Sequence, residues 1–276
     1  MITLRFSFLL ALIAIPLLTN ADTFRTRWHQ LQNATAHSRD DVRAEIEFGR
    51  TIAAHVLGKE DLLTNSHLTK YVSLVGRSLA LHSSRQELEF RFGVLNSDAI
   101  NAYSTPGGYV FITVGALNLV QDEAELAAIL AHEIAHINSR HIVKELNIRG
   151  SEADQLSTLT RVISASSTTS RVAASQAIDS AMHVLFDQGY KVQDEIEADK
   201  QAMFLLATTG YDPMALPRFL LRVDDYLALN PSHKSPTHPA SQIRYENMRQ
   251  IAEEEHFKAD NFLNVKQRFS RYISME

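Results

Sequence analysis

The constraint that governs this chain is His132-Glu133-Ile134-Ala135-His136, set in an apolar, alanine-rich run. With 3.6 residues per turn, two histidines four apart on a helix face the same way and can grip one ion together. Glu133 then stands beside the open side of that ion, where it can take a proton from water. The surrounding pattern predicts a buried helix from about Ala124 to Leu146. Asp122 with Glu125 reads as a capping box at its start. Leu126, Ile129, Leu130, Ile134 and Ile137 form an apolar arc with the histidines at its margin, and Ala127, Ala128, Ala131 and Ala135 keep the other side thin. The competing reading is a core helix with two satisfied histidines and a stray glutamate.

A catalytic zinc ion usually takes three protein ligands and keeps one position for water. Downstream, Asp194-Glu195-Ile196-Glu197-Ala198-Asp199 opens a second helical pattern that continues through Met203 to Leu206. Glu195 and Asp199 share a face, so Glu195 can complete a His-His-Glu set while Asp199 orients a ligand imidazole. Glu197 is expected to point elsewhere, into solvent. Taken alone, an acidic helix start is ordinary dipole compensation.

The HExxH and ExxxD motifs resemble those of the HtpX, CaaX-prenyl-protease and Oma-type family of zinc metallopeptidases. Residues 45–50 (EIEFGR), 101–117 (NAYSTPGGYVFITVGAL), 210–213 (GYDP) and 235–239 (SPTHP), with Arg244 beyond, are similar to further segments of that family. The resemblance covers most of the chain after its first residues. It implies an α+β, mainly α-helical, gluzincin-like peptidase domain with a small sheet beside the active-site helix. It also implies one zinc ion bound by His132, His136 and Glu195, with Glu133 as general base and Asp199 supporting the site.

Tyr109-Val110-Phe111-Ile112-Thr113-Val114 is β-branched and aromatic, after the turn signal Pro106-Gly107-Gly108. A strand beside a zinc helix can pair with an extended peptide through main-chain hydrogen bonds. Tyr109, Val110 and Phe111, with Asn101, are therefore candidate substrate contacts, and an ordinary internal strand is the alternative. His238 lies in a proline-rich loop, residues 230–242. It could donate to an oxyanion, approach the zinc as a fourth ligand that blocks the water position, or only cap the following helix. His141 is expected to make a structural hydrogen bond. Residues 151–190, rich in Ser, Thr and Ala at first, read either as a mobile lid over the cleft or as a solvated helical hairpin.

Arg5, the apolar run from Phe6 to Leu18 and the small residue Ala21 form a secretory signal pattern over residues 1–21. The run is shorter than the roughly 20 apolar residues a span requires, so cleavage is favoured over a membrane anchor. Residues 22–276 then make one peptidase domain. No later segment predicts an integral membrane span. The chain has no cysteine, so no disulfide and no lipid-bearing cysteine are expected, and a periplasmic location follows for a Gram-negative source. A net charge of −5 without a basic run argues against nucleic acid. No internal repeat is found, which sets the chain apart from periplasmic relatives that carry C-terminal helical repeats. The function expected is endopeptidase action on polypeptide substrates in envelope quality control, where the resemblance implies unfolded outer-membrane proteins. A zinc-dependent chaperone or binding protein is the alternative.

Overall fold

The computed structural model describes residues 41–146, 167–230, 241–257 and 262–273. The leader pattern, the loop with His238 and residues 151–166 lie outside them. The described residues belong to one unit, 40–276. They are mainly helical with one small sheet, as an α+β reading of the sequence requires.

Helix α1 spans 41–59 and buries Ala44, Phe48, Ile52, Ala53 and Val56, a stripe at helical spacing. Helix α2, Ser66–Ala80, starts at Asn65, whose side chain accepts from the N–H groups of His67 and Leu68. The sheet comprises β1 (Arg91–Leu95), β2 (Ala102–Thr105) and β3 (Tyr109–Thr113) in the order β1-β3-β2. β1 runs parallel to β3, with Phe92 opposite Val110, and β2 runs antiparallel to it, with Tyr103 opposite Phe111. Gly107 and Gly108 turn the β2–β3 hairpin at φ 78° and 100°, which side chains rarely adopt. A Cβ on Gly107 would also stand 2.7 Å from the Ile46 backbone.

Alternation along the strands divides the core. Val94, Ala102, Val110 and Ile112 join the larger cluster with α2 and the zinc-motif helix, whereas Leu95, Tyr103 and Phe111 face a second cluster containing α1. The candidate substrate residues are corrected here. β3 is the central strand, so its main chain is committed to β1 and β2 and cannot take up a peptide. Val110 and Phe111 fill the two cores, and Tyr109 lies under the Arg91 guanidinium, 5.4 Å from its ring centre. The strand edge beside the motif helix belongs to β2, which packs against it.

Thr113 caps the short α3 (Val114–Leu119), its Oγ1 accepting from the Ala116 N–H. Helix α4, Glu123–Asn138, carries the HExxH motif. Asp122 Oδ1 accepts from the Glu125 N–H at 2.9 Å, and Glu125 Oε2 reaches back to the Gln121 N–H, one residue beyond an ordinary capping box. The expected single helix to Leu146 is broken. α4 stops at Asn138, Arg140 takes a left-handed φ of 53°, and α5 (His141–Glu145) starts afresh. Asn138 and Ser139 are weak helix formers, and the Arg140 guanidinium is drawn to Glu45, 3.3 Å away.

Helix α6 (Thr168–His183) and a π-helical turn (Val184–Gln188) form the described part of the expected lid. Ala181, Met182, Val184, Leu185 and Tyr190 are packed into the second core cluster, so this end is anchored. Helix α7 (Val192–Thr209) lies along α4 as its main partner and ends at Gly210, φ 83°. Helices α8 (Ala215–Leu229), α9 (Ser241–Glu254) and α10 (Lys266–Ile273) complete the described chain. No described helix is long and apolar enough to cross a membrane.

Two buried carboxylates are neutralised across long sequence distances. Glu45 receives both terminal nitrogens of Arg85, at 3.1 and 2.9 Å. Glu123 accepts from Tyr71 and Tyr211 at 2.7 and 2.6 Å and pairs with Arg268 of α10.

Candidate metal centre

α4 and α7 bury their polar residues toward each other. His132, Glu133, His136, Glu195 and Asp199 are each at most 4% exposed. His132 Nε2 and His136 Nε2 stand 3.0 Å apart, and Glu195 Oε2 and Oε1 lie 3.5 and 3.3 Å from them. Atoms binding one zinc at about 2.1 Å with tetrahedral angles stand roughly 3.4 Å apart, so the donors and their spacing fit that ion. The three residues form a candidate metal-binding group.

The outer contacts fix the ligands. His132 Nδ1 faces Asp199 Oδ1 at 3.0 Å. Arg244, on α9 and 2% exposed, clamps both acids. Its Nε and Nη2 donate to Asp199 at 2.7 and 2.6 Å, and its Nη1 lies 2.8 Å from Glu195 Oε2. On the other side, His136 Nδ1 meets His141 Nδ1 at 2.7 Å, and the Tyr190 ring stacks on His136 at 4.1 Å between centres.

Protonation follows these contacts. Burial opposes charge on His132, but Asp199 and Glu195 outweigh it and push the imidazole up to about 9. His136 is held well below the ordinary histidine value by burial, against the pull of Glu195 and with help from the positive His132. Burial would raise the Asp199 carboxyl, yet Arg244 and His132 keep it below the usual carboxylate range. Burial and the nearby Glu133 and Glu195 charges push the Tyr190 phenol far up, so it stays protonated.

The structure thus brings together His132, Glu133, His136, Glu195 and Asp199 from the sequence reading, and Tyr109, Val110 and Phe111 fall elsewhere. Asn101 braces the start of β2, its Oδ1 accepting from the Ala102 N–H at 2.9 Å and its own N–H donating to Thr113 Oγ1. His238 lies outside the described residues. Glu197 is half exposed but tied down, its Oε1 accepting from Ser139 at 2.5 Å and Gln201 at 3.1 Å. Tyr190, the stacking ring, carries no signal in the sequence; Arg244 is marked there only by the family resemblance, without its role as the clamp, and His141, expected to make a structural hydrogen bond, makes it to a ligand. Helical spacing could not reveal His141, because it meets His136 only through the break at Arg140.

A family model described as peptidase family M48 matches residues 66–252. The beta-barrel assembly-enhancing protease of Escherichia coli (strain K12) is 28% identical over 226 residues, covering 79% of this chain and 46% of that protein. Its counterpart from Yersinia pestis is 28% identical over 224 residues, covering 76% and 44%. The mitochondrial metalloendopeptidase OMA1 of Schizosaccharomyces pombe is 30% identical over 161 residues, covering 56% and 44%. The chain spans less than half the length of these curated relatives.

Proposed function

The chain belongs to peptidase family M48, and from that premise we propose that it is a zinc-dependent endopeptidase of envelope protein quality control. The observation that carries this reading is the convergence of His132, His136 and Glu195 donor atoms within 3.0–3.5 Å of one another, beside the buried Glu133. His132 and His136 would hold the ion through Nε2 and Glu195 through its carboxylate. A bound zinc supplies Lewis acidity, which polarises a carbonyl and makes water a nucleophile near neutral pH.

The chain's own groups do the rest. Glu133 accepts the proton of the attacking water and returns it to the leaving amine. Asp199 keeps the His132 ring turned toward the ion, and Arg244 keeps Asp199 ionised and holds both Asp199 and Glu195 in place. The substrate lies extended along the edge of β2, where main-chain pairing reads backbone rather than side chains and so accepts varied sequences. His238, in the loop at 230–242, remains a candidate oxyanion donor, blocking ligand or cap of the following helix.

Periplasmic action on unfolded or stalled outer-membrane proteins draws its support from the leader pattern of residues 1–21 and from relatives whose printed name concerns β-barrel assembly. The test is Glu133→Gln in the purified protein, with metal analysis and cleavage of an unfolded substrate. Zinc content should stay at one equivalent in this core site while cleavage falls by about 10²–10⁴. Cleavage at the wild-type rate would remove Glu133 as the base. Full complementation by the variant in cells would favour a binding protein, which needs no base.

A further inference from the structure

The His136–His141 contact leads away from the ligand triad to a second cluster. His141 is fully buried, and its Nδ1 is occupied by His136. Its Nε2 is buried without a hydrogen-bond partner among the described residues. That nitrogen points between Asp194 Oδ1, 3.8 Å away, and Glu197 Oε2, 3.6 Å away. Both gaps exceed an N–H···O hydrogen bond. They are close to the roughly 3.4 Å that separates donors sharing one first-row ion.

We infer that His141, Asp194 and Glu197 form a second divalent-cation site, on the opposite side of His136 from the first. The three donor atoms lie within 4.8 Å of one another. Their surroundings favour the arrangement. Ser139 and Gln201 hold Glu197 by Oε1, which turns Oε2 toward His141. Asp194 is mostly shielded, at 17% side-chain exposure, and the exposed flank of Glu197 leaves a route for the ion and its waters. One imidazole and two carboxylates suit a borderline ion such as zinc or manganese, completed by water. Such an ion would tie α5 to the first turn of α7, the turn that also presents Glu195.

One feature makes this the weaker site: Lys144 Nζ stands 4.0 Å from Glu197 Oε2 and repels a cation. The donor geometry of the second site does not rest on His136 being a ligand of the first ion.

The test is zinc titration of the metal-free full-length protein by equilibrium dialysis, with cobalt absorption as a second probe. Two ions per chain are expected, the weaker one lost in the Asp194→Asn/Glu197→Gln double variant while the tighter one stays. One ion in both proteins would overturn the proposal, as would two ions in both, which would put the second elsewhere. Lys144→Gln, which removes the cation beside Glu197 and none of the three donors, should tighten the weaker ion several-fold. An unchanged affinity there would also count against the site. Loss of the tighter ion in Glu195→Gln, with the weaker one retained, would separate a failure here from a failure of the catalytic reading.

Discussion

Replacing Arg244 by leucine removes the positive charge that two buried acids share. Three charged contacts disappear, at 2.7, 2.6 and 2.8 Å, and Asp199 and Glu195 are left 1% and 0% exposed. Breaking a buried pair from one side costs about 3–5 kcal/mol, because the remaining charge has no compensation. That is a large share of the about 5–15 kcal/mol that holds a domain together. For a chain of this size it lowers the melting temperature by about 6–20 °C. The assay is urea and thermal unfolding of metal-free and zinc-loaded protein, followed by circular dichroism. A bound dication would replace part of the lost charge, so the deficit should be smaller with zinc than without. Arg244→Lys, which keeps the charge and loses the fork, should fall between. pH supplies an internal check. Asp199 is held below its unfolded value of about 3.9, so its contribution is present above that pH and is lost as the pH falls through the folded value. The leucine variant should keep only the smaller part of this acid-dependent loss that His132 supports. A metal-free leucine variant within about 1 kcal/mol of wild type would refute the clamp.

Three further outcomes follow from the same geometry. In the metal-free protein at pH 7, His132 is protonated, since its neighbours push it up to about 9. Zinc binding should therefore release close to one proton from it, read by calorimetry in buffers of different ionisation enthalpy; no release would refute the assignment. Gly49→Ala should lose the soluble fold, because its Cβ would stand 1.5 Å from the Pro106 carbonyl oxygen. Gly58→Ala, on the same helix with nothing within 4 Å, should instead gain up to about 1 kcal/mol in urea unfolding. Equal stabilities for the two variants would contradict the packing of α1 on the hairpin turn.

The sequence made the catalytic helices legible because their signals are local. HExxH and ExxxD each repeat at helical spacing, and Asp122 with Glu125 marks where α4 begins. The features that stayed hidden depend on contacts between distant segments. That β3 is central follows from pairing with β1 eighteen residues earlier, which its own β-branched run does not record. Arg244 is marked only by the family resemblance, and its role as a clamp appears only when α9 is laid against α7. The break at Arg140 has no glycine or proline to announce it. His141 gains its partner only because the chain turns there.

The two long-range charge pairs also redraw the unit that must fold. The family match covers residues 66–252, yet Glu45 and Arg268 both fall outside it. A polypeptide trimmed to the matched residues would strip Glu123, 0% exposed, of Arg268, and would leave Arg85, 6% exposed, with Glu87 alone of its two carboxylate partners. Recognition and self-sufficiency thus have different boundaries in this chain. An expression fragment should run from the start of α1 through α10, and sequence variation at Glu45 or Arg268 belongs with the inherited constraints of the enzyme core rather than with its flanks.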